Sequence, residues 1–159
     1  MNGSQSPDLF SELELSGQSV LGLVEQVAQK RGRPIVLQPW RMGDAAQYGV
    51  WLAGPARDYI FFEAETARVH QEHIILHELA HILLGHETLR VSADNPITSA
   101  VLMRAVSNLA DTDRERAAES LAARLRNTLI ERAGLESLTR HLATAPLWSQ
   151  MITGLGLDQ

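Results

Sequence analysis

The chain has no cysteine, no run of apolar residues near the roughly 20 needed to cross a bilayer, and no surplus of basic side chains. Without cysteine there can be no disulfide, thiol nucleophile or thiolate metal site, so any transition-metal site must be built from imidazole and carboxylate. Lys plus Arg number 14 against 19 Asp plus Glu, a formal net charge of −5. Such a chain repels polyanions as a whole, and a nucleic-acid role would need a local basic patch. The polar start Met1-Asn2-Gly3-Ser4-Gln5-Ser6 carries neither the charged nor the apolar region of a secretory signal. A cytoplasmic protein without a membrane segment is expected, and no internal repeat or low-complexity block interrupts it.

What is present is an ordinary globular composition, 159 residues with 45% apolar and 21% charged, which suits one compact domain. Residues 1–17, rich in Ser, Gly and acidic side chains, read as a flexible leader, 18–144 as a single domain, and 145–159 as a loosely held tail. Val20, Leu21, Leu23, Val24 and Val27 fall at helical spacing, and Lys30-Arg31-Gly32-Arg33-Pro34 closes that helix with cations, then Gly, then Pro. The basic cluster is accounted for by this stop signal without invoking a phosphate contact. Ile35-Val36-Leu37, Tyr48-Gly49-Val50-Trp51-Leu52 and Tyr59-Ile60-Phe61-Phe62 are β-branched and aromatic runs parted by Pro39, Gly43-Asp44 and Gly54-Pro55. Helices are expected over roughly 69 to 85, 97 to 109 and 113 to 132, with a shorter one after Gly134. The fold class is therefore α+β, a small three-stranded sheet packed on a helical bundle.

Chemistry concentrates in one stretch, His70-Gln71-Glu72-His73-Ile74-Ile75-Leu76-His77-Glu78-Leu79-Ala80-His81-Ile82-Leu83-Leu84-Gly85-His86. It holds His-Glu-x-x-His at 77 to 81, a pattern that chance would give about one chain in sixty of this composition. Spacing four sets His77 and His81 one turn apart on one helix face, where both imidazoles can reach a single Zn²⁺. Glu78 lies about 100° further round, beside such an ion, in the place of a general base. Apart from the stripe His70, His73, His77 and His81 the helix is apolar, so it should be buried, and a buried Glu78 needs a partner. His73 to His81 spans roughly 12 Å of helix axis, too far for one metal to hold His73 as well; His70 and His73 are expected to line the cleft. His86 follows Gly85 and is expected as a C-capping residue.

A catalytic zinc takes three protein ligands and keeps one open position. The third must be Asp, Glu or His141. Ala118, Ala122, Leu125 and Leu129 form an apolar stripe flanked by Glu115 and Glu119, one turn apart. Thr112-x-x-Glu115 is also a capping-box signature that would spend the Glu115 carboxylate on the backbone, and spacing alone leaves Glu115 and Glu119 equal.

His77-Glu78-Leu79-Ala80-His81-Ile82-Leu83-Leu84-Gly85-His86, followed by Glu115-Arg116-Ala117-Ala118-Glu119-Ser120-Leu121-Ala122-Ala123, resembles the ImmA/IrrE family of gluzincin-type metallopeptidases over roughly residues 20 to 132. Asp58 to Glu63 and His70 to Leu76 resemble its compact, toxin-like members. The family's second motif is Glu-x-Glu-Ala-Asn/Asp-x-Phe-Ala, from which this chain departs at Ala117, Glu119 and Leu121. The resemblance implies a minimal zincin-like domain in which His77, His81 and Glu115 bind zinc, Glu78 is the catalytic base and Glu119 stands behind the ligands. It also implies a narrow regulatory protease acting on a protein or peptide, in this family typically a helix-turn-helix repressor, here on a separate chain.

The alternative is a zinc-binding toxin–antitoxin or interaction partner with little proteolysis. Direct DNA binding is disfavoured, because the residues before His77 read as one helix and a small sheet. Tyr48, Tyr59 and His141 are the candidate oxyanion donors. A strand over 59 to 63, if at the sheet edge, could pair with an extended substrate.

Overall fold

A computed structural model describes residues 13–14, 19–43, 48–92, 97–98, 100–102, 105 and 111–144, the side chains at 138 and 141–144 excepted. The tail 145–159, nearly all of the leader and most of the helix expected over 97 to 109 lie outside the described residues; within that helix, residues 100–102 and 105 are helical.

Helix α1 (Val20–Arg31) begins where the Ser19 hydroxyl accepts the Gly22 N–H at 3.1 Å and ends at Gly32, whose φ of 60° only glycine adopts cheaply. Strands β1 (Ile35–Trp40), β2 (Gly49–Ala53) and β3 (Asp58–Glu63) follow, then α2 (Arg68–Leu83) and the long α3 (Thr112–Thr144). The sheet order is β1-β3-β2, with β1 parallel and β2 antiparallel to β3. β3 is thus the central strand, and the expectation that 59 to 63 might receive a substrate at a sheet edge does not hold. Pro39, which has no N–H to give a ladder, sits on the edge strand β1.

Successive strand residues face opposite sides, and each side has its own core. Trp51, Ile60 and Phe62 pack with Leu23, Val24 and Val27 of α1, Ile75, Leu76 and Leu79 of α2, and Ala118, Leu121, Ala122, Leu125 and Leu129 of α3. Val50, Leu52 and Phe61 pack on the other side with Met42, Val91, Leu102 and Ala105. Leu13, expected in a frayed leader, packs against the first of these cores, and Glu14 N–H donates to Gln26 Oε1 at 3.1 Å.

Two further expectations are corrected. α3 is continuous through Gly134 to Thr144, with no break between two helices; one glycine costs a helix only about 1 kcal/mol, too little to end it. Past Leu129 its described side chains are mostly exposed. The basic cluster at the end of α1 is more than a stop signal, since Arg31 Nη1 and Arg33 Nε grip the buried Asp58 carboxylate at 2.7 and 2.8 Å and so staple α1 to the first residue of β3.

Candidate metal centre

α2 lies between the sheet and α3 with Ile74, Ile75, Leu76, Leu79, Ala80 and Ile82 buried. The same helix carries His77 and His81 on the side that α3 faces, and Glu78 next to them against β2. His77 Nε2 and His81 Nε2 are 3.1 Å apart. From α3, Glu115 brings Oε2 to 3.1 Å from His77 Nε2 and Oε1 to 3.4 Å from His81 Nε2. Zinc bonds of about 2.0–2.1 Å at tetrahedral angles put neighbouring ligand atoms about 3.3 Å apart. The two contacts use different Glu115 oxygens; with one atom taken from each residue, the three ligand atoms lie within 4.8 Å of one another, so His77, His81 and Glu115 could hold a metal ion.

Glu119, the other carboxylate that spacing allowed, stands elsewhere. Its Oε2 lies 3.3 Å from His77 Nδ1 and 3.3 Å from His73 Nε2, so it meets the ring nitrogen that faces away from the triangle. The capping box that would have occupied Glu115 is not formed. Asp111 Oδ1 accepts the Asp113 and Arg114 N–H groups at 3.2 and 3.5 Å, taking the role that the Thr112 signature suggested and leaving the Glu115 carboxylate free to face α2.

Glu78 is buried in the wall of a cavity of about 240 Å³, shared with Tyr48, Gly49, His70, His73, His77 and Glu115. His70 and His73 line the cleft as their stripe suggested. Burial first, and the Glu115 charge second, push the Glu78 carboxyl up to about 8, against a hydrogen bond from the Trp51 backbone. Strand β2 passes so close here that a Cβ on Gly49 would collide with Ile74 and stand 2.9 Å from Glu78 Oε1. Burial, then the neighbouring His77, His86 and Arg114, push His81 down to about 4. A neutral imidazole is the ligand form, and proton competition at His81 is set near pH 4, below the value of an ordinary histidine.

Of the candidate oxyanion donors, Tyr48 reaches this cavity, Tyr59 packs with Phe61 in the second core, and the His141 side chain lies outside the described ones. His86 is not a simple cap. Its backbone N–H bonds the His81 carbonyl at 3.0 Å and its Nδ1 lies 2.8 Å from His81 Nδ1, a contact that periodicity along a helix could not show because Gly85 has already ended the helix. No helix among the described residues is long and apolar enough to cross a membrane.

Comparison of the chain with protein-family models, with curated proteins and with solved structures gave no match.

Proposed function

We propose that this chain is a zinc-dependent peptidase, a minimal zincin-like domain of the ImmA/IrrE type, in which Glu78 is the general base. The observation that carries this reading is the triangle of His77 Nε2, His81 Nε2 and the Glu115 carboxylate, close enough together to share one metal ion and bordering the cavity that Glu78 lines. A zinc ion held there would act as a Lewis acid and lower the pKa of a water toward 7. Glu78 takes a proton from the attacking water and gives it to the leaving amine. Burial raises its proton affinity above that of a surface glutamate, which suits a group that holds a proton between the water and the leaving amine. Glu119 accepts the His77 Nδ1–H, so that Nε2 carries the lone pair.

The outer edge of β2 is the strand edge near Glu78. Tyr48 O accepts from Glu63 N–H on β3, so by alternation Gly49 turns its N–H and C=O outward, beside the cavity. Further along, Ala53 is paired with Leu89 and Val91, and the Trp51 carbonyl accepts from Thr88. An extended substrate would therefore meet β2 at Gly49. A cavity of about 240 Å³ admits a side chain and no folded element, so the substrate is an exposed, extended segment, consistent with a narrow regulatory target such as a repressor on a separate chain.

The test is Glu78→Gln, assayed with zinc content and with hydrolysis of a peptide library. Zinc should stay at the wild-type level while turnover falls about 10²–10⁴-fold. A variant that keeps its zinc and its full biological effect would overturn the peptidase reading in favour of a zinc-binding toxin–antitoxin or interaction partner.

A further inference from the structure

Each imidazole in the triangle presents Nε2 to its neighbours, and each therefore has Nδ1 left over. His77 Nδ1 faces the Glu119 carboxylate. His81 Nδ1 faces a second neutral-capable ring, His86, at 2.8 Å, with ring centroids 5.0 Å apart and planes at 64°. The backbone puts it there. α2 closes in a paired turn in which Gly85, at φ 67°, donates to the Ile82 carbonyl at 3.1 Å and His86 donates to the His81 carbonyl at 3.0 Å. Such a turn brings the second residue past the helix back over the residue five positions before it, where an apolar pair commonly sits. Here the pair is His86 on His81.

From this geometry we infer that His86 is a positioning residue for His81, accepting its Nδ1–H and so fixing both the ring plane and the tautomer that leaves Nε2 as the electron-pair donor. The inference rests on the metal reading above. The proton count allows one arrangement when His81 Nε2 must be bare: His81 carries its hydrogen on Nδ1, and His86 accepts with a bare Nδ1 and carries its own hydrogen on Nε2. His86 also borders a polar cavity of about 460 Å³ with Glu87, Thr88 and Arg90, so that second N–H is not left against apolar packing alone. His86 is not a third ligand itself, because it meets His81 on the nitrogen opposite the triangle.

The test compares wild type with His86→Leu, His86→Asn and His77→Ala, using Co²⁺ and Zn²⁺ as probes. Affinities come from competition with a chromogenic chelator, the Co²⁺ absorption bands report ligand geometry, and thermal unfolding of chelator-treated protein reports the fold. Removing an outer partner of a ligating histidine weakens metal binding about 10–100-fold. His86→Leu should show that loss and altered Co²⁺ bands, with metal-free unfolding near wild type. His86→Asn, whose Oδ1 can stand where the ring Nδ1 stood, should recover most of the affinity and the bands. His86→Leu binding as tightly as wild type, or Asn giving no recovery over Leu, overturns the role of His86 while His77→Ala, by losing the metal, leaves the site itself standing. A wild-type chain that takes up neither ion overturns the metal reading and this inference with it.

Discussion

Glu119 Oε2 lies 3.3 Å from His77 Nδ1, the ring nitrogen opposite the one that faces Glu115. Two carboxylates one turn apart on α3 thus address the two nitrogens of one imidazole. Their removal should have different consequences. Glu115→Ala should lose stoichiometric zinc, whereas Glu119→Ala should keep a site about 10–100-fold weaker. Elemental analysis and chelator competition on both variants check this; zinc retained by Glu115→Ala and lost by Glu119→Ala would reverse the assignment.

Glu78 also sets a pH dependence of stability. Its folded pKa of about 8 lies above the ordinary 4.5, so between those values the folded chain keeps a proton that the unfolded chain has lost, and stability falls as pH rises. His81, at about 4 against 6.5, works in the opposite sense between those values, and His86 is shifted the same way. Below 6.5 the slopes oppose; from 6.5 to about 8 Glu78 acts without that offset. At 1.36 kcal/mol per unit the decline over that window is at most about 2 kcal/mol. Urea unfolding of chelator-treated protein at both ends of the window should show it, and Glu78→Gln should flatten it. An equal decline in the variant would remove Glu78 as the cause.

Gly49 is required by space. A methyl there meets Ile74 Cγ2 and comes within 2.9 Å of Glu78 Oε1, so Gly49→Ala should destabilise the chain by about 1–3 kcal/mol. Gly134→Ala is the control, since nothing lies within 4 Å of its added Cβ; in the helix interior it should be neutral or stabilising by up to about 1 kcal/mol. Denaturant midpoints decide, and a Gly49→Ala chain as stable as wild type would mean that β2 and α2 can separate at no cost.

Asp58 is buried beneath two guanidinium groups, with side-chain exposure of 1%. Its loss leaves two partly buried cations facing each other, and breaking such a buried pair costs about 3–5 kcal/mol. Asp58→Ala should lower the unfolding free energy by about 3 kcal/mol, read in urea. A change below about 0.5 kcal/mol would show that water replaces the carboxylate.

Much of this was legible from order along the chain. The stop at Gly32, the three strands and the pairing of His77 with His81 all follow from local spacing, because a helix repeats every 3.6 residues whatever surrounds it. Glu78 could likewise be placed beside its neighbours from one rotation of 100° per residue. Zero cysteine restricts any transition-metal site to imidazole and carboxylate whatever the fold. Other features depended on residues that the chain brings together from a distance. Glu115 and Glu119 have the same spacing to the same apolar stripe, and only the crossing of α3 over α2, together with Asp111 taking the cap, turns one toward the Nε2 atoms and the other toward Nδ1. Asp58 meets Arg31 and Arg33 across 25 to 27 positions, and no local pattern encodes such a pair. β3 is the central strand, flanked by β1 and β2, an order that no local pattern along the chain encodes, and His86 reaches His81 only through the turn at Gly85. Local periodicity fixes which side chains share a face of one element; which faces meet is settled by the burial of many apolar residues at once, and that is a property of the packed chain.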